Sequence, residues 1–191
     1  MTQRLLLVID FINDIVDPLC DSASLSMFVQ EREVMLRANQ AIAYARQEGV
    51  PVVHVKVGFS DDYSECPLTS PVFGGAQQSG RFKLSSLGCE FHADMDVDDQ
   101  DKVIVKHRIS AFYGTDLDVL LRAKRIDELV ICGVSTNMTV ELTAREAHDR
   151  DYRVTVLEDA CGAATLEIHQ AALKTIARIG RVVSVGDFVS A

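Results

Sequence analysis

Asp10 closes the apolar run LLLVID and Lys106 closes VIVK, so two charged side chains stand at the ends of runs that otherwise read as buried strand. A carboxyl or an ammonium in that position is costly to leave alone, and each calls for an opposite charge or a polar ligand. Were they to pair, the ammonium would favour ionised Asp10 while burial would favour its protonated form. A third segment, VICGVSTNMTVELTAREAHD over 130–149, runs as a strand through Gly133 and a polar turn into a helix whose first turn carries Thr139. The unpaired N–H groups and partial positive charge of such a helix start face the crevice beyond the strand ends. Thr139 cannot ionise there. Its hydroxyl titrates above the ~10 of a phenol, and a helix terminus worth about 0.3–1 kcal/mol moves it by less than about one unit at ~1.4 kcal/mol per unit. Attack by Thr139 therefore needs a general base, for which Asp10 is the candidate.

Neighbouring residues extend the candidate site. Asn13 and Asp14 share the turn after Asp10; Asn13 is expected to orient Asp10 or bind substrate, and Asp14 to cap the turn. Ser135 belongs to the polar turn 135–139, expected to bind substrate. His107 alternates away from Lys106 if the strand continues, and is not expected in the site.

Six apolar runs supply the strands that hold these residues, over 4–9, 50–57, 102–106, 129–132, 154–157 and 182–185, and amphipathic spacing predicts helices over 24–48, 116–124, 137–150 and 165–179. Val/Ile/Leu runs without polar alternation suit parallel strands covered on both faces. The alternation implies an α/β fold, a doubly wound, Rossmann-like six-stranded parallel sheet with helices on both faces, in one domain over 1–191. Residues 58–101 break the pattern with scattered Gly, Ser, Pro and Asp. A loop that long is either a pocket wall or lid with short helices and part of a subunit interface, or a surface insertion.

Composition narrows the function classes. The chain has 191 residues. At that length a domain buries roughly 70% of its unfolded surface and needs no disulfide framework. A net charge of −9 and a pI near 5.0 argue against nucleic acid or an anionic membrane as partner. Lys106, Arg108 and Arg145 could still meet an anionic group of a substrate locally. No apolar run approaches the ~18–20 residues of a membrane span, and the N-terminus lacks a signal-peptide pattern, so a soluble, cytoplasmic protein acting on a small molecule is expected. The five cysteines, at 20, 66, 89, 132 and 161, form no C-x-x-C pair and signal neither zinc nor a redox dithiol. Cys132 reads as a small buried hydrophobe, and Cys161, just past a strand end, as the one thiol able to approach the crevice as a substitute nucleophile.

The segment from Gly133 to Ala147 resembles the isochorismatase-like hydrolases of the cysteine hydrolase superfamily, where the stretch reads roughly G-V-x-T-N-x-C-V-E-x-T-A-R-x-A. Asp10 and Lys106 match two further markers, and order and spacing agree from about 4 to 188. The resemblance places Thr139 where that family carries its Cys nucleophile, with Asp10 and Lys106 as the other catalytic residues. It implies a route without a nucleophile, in which Asp10 as general acid, tuned by Lys106, protonates the methylene carbon of a vinyl ether before water adds. It also implies a cis peptide at Val134–Ser135 aiming N–H groups at a substrate oxygen, Phe112 or Tyr113 as pocket walls against a planar substrate, and a homo-oligomer, dimer or tetramer. The Asp-x-His metal motif of nicotinamidases is missing, because His54 follows Val52 and Val53; no metal and no cofactor are expected, and His54 reads as a half-buried strand residue. Three functions stay open: a metal-free hydrolase using Asp10 and Lys106, a Thr-dependent amidase with Asp10 as base, and a catalytically silent binding or assembly member.

Overall fold

The computed structural model describes residues 3–19 and 23–190. Cys20 lies outside them. Strands form where the apolar runs are: β1 (Arg4–Ile9), β2 (Val52–Val57), β3 (Lys102–Lys106), β4 (Glu128–Val134), β5 (Arg153–Gly162) and β6 (Arg181–Val183). All pair in parallel in the order β3-β2-β1-β4-β5-β6, a single-domain doubly wound α/β sheet. The chain winds outward from β1 in one direction and from β4 in the other. The crevice between those two strand ends is where such sheets hold ligands.

The helices are α1 (Asn13–Val16), α2 (Ala23–Glu31), α3 (Val34–Gln47), α4 (Ala76–Ser79), α5 (Leu117–Ala123), α6 (Glu141–His148), α7 (Leu166–Ile176) and α8 (Val185–Val189). In α3 the buried residues Val34, Ala38, Ala41, Ile42 and Ala45 recur at helical spacing, and the small alanines let it lie close against β1 and β5. It packs with α2 and α8, while α6 and α7 pack together over β5. Right-handed crossovers in opposite directions put these two groups on opposite faces.

Several expected boundaries move. The helix expected over 24–48 is two helices, because Glu33 takes a left-handed φ of 54° and turns the chain between them. The strand expected over 154–157 runs on to Gly162, since a register shift between Ile131 and Gly133 in β4 lets pairing resume at Cys161. The last strand is shorter than 182–185, as Val185 opens α8 behind a Ser184–Asp187 capping box.

Residues 58–101 are not an idle surface loop. They contain α4 and a 3-10 turn at Leu87–Cys89, and they bury a second core in which Phe59, Tyr63, Phe73, Phe82 and Cys89 pack with Ile12 and Val57. Among the described residues no helix is long and apolar enough to cross a membrane.

Candidate functional site

The site is built where three strands end. Asp10 follows β1 with φ 64°. That is the left-handed region, which Asp tolerates better than most residues. Its amide donates to Val55 O at 2.8 Å, which pins the backbone to β2, while Oδ1 accepts from the Val57 amide at 2.8 Å. Lys106 ends β3, on the far side of β2, and its Nζ reaches Asp10 Oδ2 at 2.8 Å and donates to Arg108 O at 3.1 Å. Thr139 Oγ1 donates to the same Oδ2 at 3.2 Å. Asp10 is 2% exposed, Lys106 0% and Thr139 7%. The sequence left open which influence governs Asp10. Burial pushes its carboxyl above the ordinary value, and the opposing pull of Lys106, Thr139 and the Val57 amide does not cancel that.

Beside this cluster lies a cavity of about 230 Å³ whose lining includes Asp10, Lys106, Ser135 and Thr139 together with Phe73, Arg81 and Phe82. The Val134–Ser135 peptide is cis. Thr139 sits not in the first turn of an α-helix but in a π turn, Thr136–Val140, closed by the Val140 amide on Ser135 O at 3.2 Å and continuous with α6. Single π turns of this kind recur at functional sites.

Of the residues expected to bind substrate, Ser135 alone lines this cavity. Asn13 does not orient Asp10; its Nδ2 donates to Leu87 O at 2.7 Å and ties the turn after β1 to the insertion. Phe112 is buried against Tyr152, with the Arg150 guanidinium 4.6 Å from its ring centre. Tyr113 is 65% exposed and borders separate hollows with Arg108. Both aromatics follow a bend after β3 that carries them past the cavity. Asp14 does not cap its own turn; its Oδ2 accepts from the Phe82 amide at 2.6 Å, far along the chain, and so ties that turn to the insertion.

Cys161 is no substitute nucleophile. It lies inside β5, fully buried and away from the cavity lining, and burial pushes its thiol up to about 12. His54 is wholly enclosed rather than half-buried, with Nε2 3.1 Å from Asp101 Oδ2. His107 turns away, Nδ1 lying 2.6 Å from Gly58 O. Of the cations expected to meet a substrate, Arg108 borders a neighbouring hollow and Arg145 pairs with Glu141 at 2.9 Å; Lys106 alone reaches the cavity.

Phe73, Arg81 and Phe82 are among the cavity residues that sequence reasoning missed, with Ile15, Leu25, Val57, Val72 and Ile109. Arg81 lies over the Phe82 ring at 4.8 Å and donates to Asp14 O at 2.6 Å, so the insertion is anchored on the turn after β1. Nothing in GGAQQSGRFKLSS signals this, because no hydrophobic period assigns those side chains to a face. Among the described residues, no three His, Cys, Asp or Glu side chains cluster as a metal site.

Three comparisons bear on this geometry. The family model described as the isochorismatase domain matches residues 4–187. The uncharacterized isochorismatase family protein YecD of Escherichia coli O157:H7 is 40% identical over 160 residues, 83% of this chain and 83% of that protein. The ureidoacrylate amidohydrolase RutB of Acinetobacter baylyi is 30% identical over 165 residues, 76% of this chain and 64% of that protein. An isochorismatase family protein from Desulfovibrio vulgaris superposes with a TM-score of 0.89 at 27% identity, covering 98% of this chain and 97% of that one.

Proposed function

The chain belongs to the isochorismatase family, whose members are hydrolases, and from that premise we propose that it is a metal-free hydrolase of a small molecule, working through Asp10 without a covalent intermediate. One observation carries this reading: Lys106 Nζ and Thr139 Oγ1 converge on a single oxygen of the buried Asp10 carboxyl at the cavity wall, at 2.8 and 3.2 Å. A carboxyl whose proton affinity is raised by burial is suited to act as a general acid. With a vinyl ether as substrate, Asp10 passes its proton to the methylene carbon. Water adds to the adjoining cationic carbon and returns a proton to Asp10, and the hemiketal then breaks into an alcohol and a carbonyl compound. Lys106 balances the transient carboxylate. Thr139, standing where the family pattern has its cysteine, bonds and shapes rather than attacks. A cavity of about 230 Å³ supports a small substrate.

A second reading draws on the same contact. Thr139 Oγ1 stands 3.2 Å from Asp10 Oδ2. That is the spacing of a nucleophile and its base, and it supports a Thr-dependent amidase. Against it, the ammonium on that same oxygen lowers its basicity.

A panel of small amides and vinyl ethers, turned over by wild type, Thr139→Ala and Asp10→Asn, separates these. Vinyl-ether turnover kept in Thr139→Ala and reduced by about 10²–10⁴ in Asp10→Asn is the expected result. An ester trapped on Thr139 would establish the amidase. Equal background in wild type and Asp10→Asn would leave a binding protein without catalysis.

A further inference from the structure

The π turn that carries Ser135 and Thr139 is held from behind by a residue with no place in the chemistry above. His169, on α7, is 1% exposed, and its Nδ1 lies 2.9 Å from the hydroxyl of Thr136, itself 0% exposed. Thr136 opens the π turn, directly after Ser135 and three residues before Thr139. The other ring nitrogen, Nε2, has no hydrogen-bond partner, and Glu158 Oε2 stands 3.8 Å away. That separation is too long for a hydrogen bond. Burial holds the imidazole down to about 4, so it is neutral near pH 7. Phe28 packs at 5.4 Å from its ring centre.

An apolar side chain would fill this place without leaving a buried nitrogen unpaired. What the imidazole adds is one bond, and that bond goes to the turn. The opposite side of the turn lines the cavity through Ser135, Met138 and Thr139. The Thr139–Asp10 contact is already 3.2 Å long. At that length a displacement of a few tenths of an ångström would break it.

We infer that His169 is a positioning residue: acting through Thr136, it sets the π turn so that Thr139 meets Asp10 and Ser135 faces the substrate. The inference rests on the proposed function for its catalytic consequence, but not for its structural one. Its test therefore has a readout that needs no turnover.

The probe is the Thr139 methyl resonance in a methyl-labelled sample, assigned by its loss in Thr139→Ala. Thr136→Val removes the hydroxyl while keeping the side-chain shape and the His169 ring, and His169→Leu removes the bond from the other side. Both are expected to move the Thr139 resonance by more than its linewidth. Thr136→Ser and His169→Asn, which keep a hydrogen-bonding atom at the broken position, return it toward the wild-type shift. On a substrate found in the screen above, kcat should fall by about 10–100-fold in Thr136→Val with KM little changed, and recover in Thr136→Ser. A Thr139 resonance unmoved in Thr136→Val overturns the inference whatever the turnover does. Should His169→Leu fail to fold, Thr136→Val decides alone. A moved resonance with no turnover in any variant upholds the positioning role and counts against the hydrolase.

Discussion

Asp10, directly after β1, and Lys106, the last residue of β3, come from strands that do not pair, and they meet at 2.8 Å across the end of β2 between them. Each is sealed from solvent, so each neutralises a charge the fold could not otherwise bury. Lys106→Met should cost about 3–5 kcal/mol near neutral pH, because it strands a carboxylate in the interior. The sign of the pH dependence follows from the raised Asp10 carboxyl. A folded-state value above the unfolded one favours the fold fully at pH below the unfolded value, and that advantage is lost as pH rises through the folded one. Without Lys106 the folded value climbs further, so the variant's deficit should shrink steadily on acidification. Urea unfolding of wild type and Lys106→Met across pH measures this. A deficit that stays constant or grows in acid would show that Asp10 does not take up the stranded proton.

The same carboxyl predicts opposite pH profiles for the two enzyme readings. If Asp10 protonates the substrate, turnover falls as pH rises through its raised value, and Lys106→Met moves that fall to higher pH by removing the cation that opposes burial. If Asp10 is the base for Thr139, turnover instead rises through the same region. A kcat/KM profile of wild type and Lys106→Met on an active substrate tells them apart, and a profile indifferent to Lys106→Met would dismiss both.

The parts of this molecule legible in advance are those where one physical demand dominates. Apolar runs announce parallel strands because only burial on both faces explains them, and a charge ending such a run announces Asp10 and Lys106. Where two demands compete, sequence is mute. Asn13 stands three residues after Asp10, but its side-chain amide donates to the Leu87 carbonyl at 2.7 Å instead. Phe112 and Tyr113 follow Lys106 closely, yet direction depends on a bend that adjacency does not encode. Phe73, Arg81 and Phe82 come from an insertion whose core is completed by Ile12 and Val57, residues outside it. The length of β5 hinges on a register shift opposite Gly133, which shows no periodicity at all.

Thiol chemistry offers a check on the claim that Cys161 takes no part, with Cys89 and Cys132 as buried companions. Burial pushes Cys89 up to about 11 and Cys161 up to about 12, and Cys132 is fully enclosed. Almost no thiolate therefore exists at neutral pH, and no path leads to it. Iodoacetamide applied to the folded protein should leave all three unmodified over a period in which a free cysteine reacts fully, and should label them once urea unfolds the chain. Labelling of Cys161 in the native state, with loss of activity, would restore it as a nucleophile. Thr139→Cys places a thiol beside Lys106 at a position only 7% exposed, and gain of amidase activity in that variant would show that the surrounding machinery can run the cysteine chemistry of the family.

Gly133 is the position where the sheet and the site are least separable. Its φ is 142°, a region L side chains rarely adopt, and an added Cβ would press on the Ile9 carbonyl oxygen and stand 2.9 Å from Ile9 Cβ. Ile9 immediately precedes Asp10, and Gly133 lies two residues before Ser135, so relief must come by moving one wall of the site from the other. Backbone strain of about 1–3 kcal/mol and overpacking of about 1–3 kcal/mol both act in Gly133→Ala, which should lose roughly 2 kcal/mol or more in urea unfolding. Gly49→Ala is the matched control. Its φ of 68° is also left-handed, but nothing lies within 4 Å of the added carbon, so only the backbone cost applies and the site is untouched. Turnover should fall in Gly133→Ala and hold in Gly49→Ala. Equal stability losses in the two, with activity kept in both, would mean that β1 and β4 can separate at their ends without disturbing Asp10, and that the tight packing of Ile9 on Gly133 is not what holds the site together.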